Sequence, residues 1–129
     1  MIKAVFFDLY GTLAGFQPSR HIIQSEACAD FDISVTPEGI LKGYGIADAY
    51  MAAQNATKSV RTMNKSEQIS FFAEYEKRVL QGCGVNVSSE TAARIWRRMK
   101  EIPYHMKCFD DVAPVMEILK RSGFTIGLI

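Results

Sequence analysis

The sequence predicts an α/β fold with a helical insertion, on three observations: an apolar run near the N-terminus, a second at the C-terminus, and helical periodicity across residues 16–103. The runs IKAVFF (residues 2–7) and FTIGLI (124–129) are short, uninterrupted and rich in aromatic and β-branched residues. That pattern belongs to parallel strands buried on both faces. Strand, helical excursion, helix and second strand together make a βαβ unit with a large insertion at the carboxyl end of its first strand. The expected architecture is therefore a partial core of two parallel strands plus one helix, residues 1–15 and 104–129. Residues 16–103 are expected to form an inserted cap of about four helices.

The elements follow in order. After a loop from Gly11 to Pro18, Ser19 caps a first helix whose apolar positions Ile22, Ile23, Ala27 and Phe31 recur at helical spacing. Thr36 as cap, Pro37 at the first helical position and Glu38 in the first turn start the next helix. Gly43 and Gly45 are expected to weaken it. Asn64 and Glu67 have capping-box spacing for a third helix, closing at Gly82, with Ile69, Phe72, Val79 and Leu80 as its apolar face. Ser88 to Ile102 forms a fourth, ending before Pro103. A fifth is capped by Asp110 or Asp111 and stopped by Gly123.

Composition narrows the function classes. A chain of 129 residues buries about two thirds of its unfolded surface and folds without staples. Fifteen basic against fourteen acidic residues leave a charge of +1, without the basic field of a nucleic-acid binder. Cys28, Cys83 and Cys108 are odd in number and lack CxxC spacing, which argues against a disulfide framework and a zinc site and for free thiols in a reducing cytoplasm. The apolar stretch Ala4–Phe7 is too short for a signal-peptide core, and no uncharged run has membrane-spanning length. The expectation is a soluble cytoplasmic protein with neither membrane nor nucleic acid as partner. Arg94, Arg97, Arg98 and Lys100 are taken as a solvated helix face, Trp96 as packed between helices, and His21 and His105 as lacking a third metal-ligand or triad partner.

The chemistry concentrates in FFDLYGTLA, residues 6–14. Asp8 ends the first strand, and the carboxyl ends of parallel strands are where open α/β sheets keep their reactive groups. A carboxylate there is able to attack a phosphoryl group or a halogen-bearing carbon and split one difficult step into two. Gly11 allows a tight turn, which leaves the amides around Leu9, Tyr10 and Thr12 to meet phosphate oxygens.

These residues resemble the first motif of the haloacid dehalogenase superfamily. CFDDVAPVMEILKRSGFTIGLI, residues 108–129, is similar to the helix and strand leading into that superfamily's second motif, and the helices between fit its helical cap type. The resemblance implies Asp8 as nucleophile, with Mg2+ held by Asp8 and by the backbone carbonyl of Tyr10. Leu9, Gly11 and Thr12 then bind the substrate, a small phosphorylated metabolite such as phosphoserine. Two departures qualify it. Tyr10 stands where the superfamily's phosphatases carry a second aspartate; tyrosine keeps its proton to about pH 10, so it donates a proton but is a poor base at neutral pH. A tyrosine there resembles the true dehalogenases, whose halide needs no proton, yet their halide-gripping arginine has only Lys42 at the corresponding place.

The second departure is that the superfamily's second-motif hydroxyl, third-motif lysine and later acidic metal ligands do not occur. The expectation is a truncated enzyme, slow because each lost electrostatic contact costs about 3 kcal/mol. Two strands leave edges and apolar faces uncovered, so a homodimer is expected, with Lys107, Arg20 or Lys3 as candidates to replace the missing lysine. Phosphomonoester hydrolysis stands first, 2-haloacid dehalogenation second, and a non-catalytic helical module that binds a partner protein third.

Overall fold

The N-terminal apolar run forms strand β1 (Ala4–Phe7), paired in parallel with β4 (Thr125–Leu128) in the register Ala4↔Thr125 to Phe7↔Leu128. This computed structural model describes residues 1–129. The chain divides into two units, one of Met1–Ser19 with Tyr104–Ile129 and one of Arg20–Pro103. It is a mixed α/β protein with five α-helices and two two-stranded sheets.

In the first unit, α5 (Val112–Arg121) leads into β4 and completes the βαβ connection. Asp111 occupies its N-cap without making a side-chain cap bond. Gly123, at φ +78, ends the segment. Val112, Met116 and Leu119 form a half-buried stripe on α5. Part of the segment expected to be a loop is instead a strand. β2 (Ala14–Gln17) pairs antiparallel with β3 (His105–Cys108), joining Ala14 to Cys108 and Gln17 to His105. β2, AGFQ, does not alternate apolar with polar residues, β3, HMKC, alternates over only four, and no turn joins the two in sequence, so the signals that mark a hairpin are absent.

The second unit is helical: α1 (Arg20–Ala29), α2 (Pro37–Thr57), a 3₁₀ turn at Val60–Thr62, α3 (Lys65–Gly82) and α4 (Ser89–Glu101). Three of its caps are those the sequence calls for. The Thr36 hydroxyl accepts from the Gly39 amide at 3.1 Å, and Asn64 and Glu67 complete a reciprocal capping box. The Ser88 hydroxyl accepts from the Thr91 amide. Two apolar clusters make the core, one around Ile40, Phe71, Tyr75 and Val79, the other around Ile23, Cys28, Leu80 and Ile95. α3 is thus buried on two sides, against α2 and α4, while Ile69 is 54% exposed and not part of its buried face. Single-face periodicity does not resolve a helix with neighbours on two sides.

Gly43 of α2 and Gly82 of α3 mark the crossing of the two helices. A Cβ at Gly43 would fall on the Val79 backbone, and one at Gly82 on the Gly43 backbone. Absence of side chains lets two helix backbones touch. Gly45 has open space around its Cβ position.

Two polar side chains are sealed inside this unit. The Gln24 amide donates to Glu76 Oε1, and Gln24 Oε1 accepts from the Tyr44 hydroxyl at 3.1 Å. Glu76 Oε2 has no partner. Burial pushes the Glu76 carboxyl up to about 7, against a smaller opposing pull from the Gln24 hydrogen bond. Between the unfolded value of 4.5 and about 7 the folded state holds the extra proton, so stability falls as pH rises through that window and levels off above it. The loss is about 3 kcal/mol between pH 4.5 and pH 8. Urea unfolding across that range should show this slope in the wild-type chain and its absence in Glu76→Gln. A variant that keeps the slope would assign it to another group. No helix is long and apolar enough to cross a membrane.

Candidate functional site

The site grows from the end of β1. Asp8 follows Phe7 directly, at the carboxyl end of a strand paired in parallel, and its side chain is exposed. The pairing continues to its edge, where the Ile129 amide donates to the Phe7 carbonyl at 3.0 Å. Past Asp8 the chain folds back on itself. The Leu9 carbonyl accepts from the Leu13 and Ala14 amides at 2.9 and 3.0 Å, and the Gly11 amide donates to the Ala14 carbonyl at 2.8 Å. Gly11 sits at φ +81, in left-handed territory that a side chain would strain. The Phe109 amide donates to the Leu13 carbonyl and ties the turn to the end of β3.

Within this turn the Thr12 hydroxyl donates to Asp8 Oδ2 at 3.2 Å. One carboxylate oxygen is thereby held, and Oδ1 has no hydrogen-bond partner. The Leu9, Tyr10 and Thr12 amides take no part in the turn's internal bonds, whereas that of Gly11 is used within it. Gly11 therefore contributes shape and not a donor. The bridge between Tyr10 and Ala14 runs through the Leu9 and Ala14 carbonyls, which leaves the Tyr10 carbonyl outside both of its hydrogen bonds.

The Tyr10 side chain has company that the sequence does not reveal. Its ring lies 5.1 Å from that of Phe16 on β2, and Phe16 meets Tyr104 edge-on at 4.9 Å. Three aromatic rings from separate stretches form one cluster, with Tyr10 at an exposed end. Aromatic residues are common core material, and only the β2–β3 ladder brings these three together.

Two of the three cations named from the sequence, Lys107 and Arg20, have partners of their own. Lys107 on β3 pairs with Asp110 at 3.7 Å. The Arg20 guanidinium stands 4.0 Å from the centre of the Tyr44 ring. Lys3 precedes β1 at the end opposite Asp8, about 16 Å away along an extended chain. No group of three His, Cys, Asp or Glu side chains is placed to hold a metal ion. Cys28 is buried, Cys83 half-buried and Cys108 exposed, all as free thiols, so only one of the three is fully buried. The Cys28 thiol is pushed up to about 11 by burial, which keeps it protonated and inert at neutral pH.

No family model matches this chain, and no curated protein matches it.

Proposed function

We propose that the chain hydrolyses small phosphomonoesters through a covalent aspartyl intermediate on Asp8. The observation carrying this reading is an exposed carboxylate at the carboxyl end of a parallel strand, one oxygen held by Thr12, followed by a glycine turn whose Leu9, Tyr10 and Thr12 amides are not used within it. In the first step Asp8 Oδ1 bonds to phosphorus while the bond from phosphorus to the ester oxygen breaks. The electron pair leaves with that oxygen, which takes a proton from the Tyr10 hydroxyl or from water. In the second step water attacks phosphorus and gives up a proton, to the Tyr10 phenolate where Tyr10 was the donor and otherwise to solvent, while the bond from Asp8 Oδ1 to phosphorus breaks and inorganic phosphate leaves with the Asp8 carboxylate restored. The Leu9, Tyr10 and Thr12 amides are the donors this turn offers to phosphoryl oxygens.

Mg2+ is part of the proposal. It is commonly held by one or two carboxylates plus water and substrate phosphate, and Asp8 with the Tyr10 carbonyl is the sparse end of such a set. When bound, it neutralises charge between the carboxylate and the phosphoryl group. With so few fixed charges around Asp8, turnover is slow. A second copy of the chain covers the exposed apolar β1–β4 pair, where Phe6 is 61% and Leu128 58% exposed. The three free thiols support a cytoplasmic setting.

Halide displacement from a 2-haloacid is the second reading. It is favoured by Tyr10 in place of a second carboxylic acid, since halide departs without needing a proton donor. One assay separates the two. Phosphoserine and sugar phosphates should release phosphate slowly with Mg2+ and not after chelation, and 2-chloropropionate should release no chloride. Metal-independent chloride release would replace the first reading with the second, and phosphate release unchanged by chelation would remove Mg2+ from it.

A further inference from the structure

We infer a second ligand site in the helical unit, independent of Asp8, that takes a small amphipathic anion with a flat apolar body. A groove of about 500 Å³ runs between α3 and α4. It is lined on α3 from Lys65 to Phe72 and on α4 from Ala93 to Lys100, about two helical turns or 10 Å on each. Its floor holds Phe72 and Trp96, stacked at 4.5 Å with planes 7° apart, and Ile69 forms an apolar wall.

The charges around this floor have one sign. Lys65, Arg97 and Lys100 line the groove, and no acidic residue does. None of these three cations enters an ion pair, although Lys58, Lys77, Arg78, Arg98, Lys107 and Arg121 all do. The basic stripe that α4 presents in sequence is in fact divided. Arg98 turns to Glu26 and Asp30, and Arg94 lies over the Phe31 ring, whereas Arg97 and Lys100 turn to the groove. In a chain of net charge +1 this is a local concentration of uncompensated positive charge beside an aromatic surface.

Size decides between a small ligand and a protein. The volume is in the range of small-molecule sites, about 300–1,000 Å³. Eight lining residues are far fewer than the 20–30 per side, roughly, of a standard protein interface. The occupant this fits is an aryl carboxylate, sulfonate or phosphate of one or two rings, its flat body against the aromatic floor and its anion toward Arg97 and Lys100.

Trp96 is the only tryptophan, so its single indole N–H signal in proton–nitrogen correlation spectra reports on the groove. Titration with 2-naphthoate should move that signal saturably, and 2-naphthylmethylammonium, of similar shape and opposite charge, should not. Arg97→Glu with Lys100→Glu changes two exposed side chains and should weaken binding about tenfold or more, with the remaining spectrum unchanged. Arg97→Gln, the milder change, should weaken it less. An unmoved indole signal at millimolar naphthoate, an equal response to the cation, or undiminished binding by both charge variants would each overturn the site. A response to an acidic helical peptide but not to naphthoate would overturn the small-ligand assignment.

Discussion

Asp8→Asn is expected to lower phosphomonoester turnover by at least about a thousandfold, because the amide does not bond to phosphorus and the covalent route closes. The stability cost should be small. Asp8 is exposed, and its one side-chain hydrogen bond comes from Thr12, so the substitution should fall within about 0.5 kcal/mol of wild type. That separation makes the variant informative: urea midpoints that coincide, with rates that do not, assign the loss to chemistry and not to folding. Equal rates in both proteins would exclude Asp8 as nucleophile.

Gly43→Ala is expected to destabilise the helical unit by about 3 kcal/mol, the upper part of the range for overpacking, because the new methyl group meets backbone. The added Cβ would sit on the Val79 carbonyl and carbon skeleton, atoms that no rotamer change moves aside. Relief requires α2 and α3 to separate, which opens the cluster of Ile40, Tyr75 and Val79 packed at their crossing. Gly45→Ala, two residues along the same helix, has nothing within 4 Å of its new atom. It should stabilise by about 0.5–1 kcal/mol through helix propensity alone. Opposite signs for two identical substitutions, measured by urea unfolding, would establish the close crossing. Matching signs would refute it.

What the sequence discloses divides by distance along the chain. The caps at Thr36, Asn64–Glu67 and Ser88 each join a side chain to an amide three residues on, and all are legible from local spacing alone. β1 and β4 are equally legible as strands, being apolar runs, but the burial on both faces expected of such runs is not found, with Phe6 and Leu128 exposed. β2 and β3 are not legible, because four-residue strands of mixed polarity at opposite ends of the insertion carry no local mark of their pairing. Gln24 and Glu76 lie 52 positions apart, and two polar residues on helices ordinarily face water. Gly43 reads in sequence as a weakness of α2, and only the approach of α3 makes it a requirement.

The same division runs through the site. Asp8, Gly11 and Thr12 fall within five consecutive positions, and their strand end, turn and hydrogen bond follow from local chemistry. The cluster of Tyr10 with Phe16 and Tyr104 depends on a ladder closed across the whole insertion. So does the separation of α4's cations into those paired with α1 and those turned to the groove depend on distant contacts, since a stripe of like charges shows only that a face exists.

The most direct test of the account is to quench the chain with phosphoserine and Mg2+ in acid during a single turnover and to sequence its peptides by mass spectrometry. A phosphoryl group on Asp8, labile to mild alkali and missing from Asp8→Asn, is the result expected. Phosphate release with no label on Asp8 at any quench time, or with the label on another side chain, would contradict it.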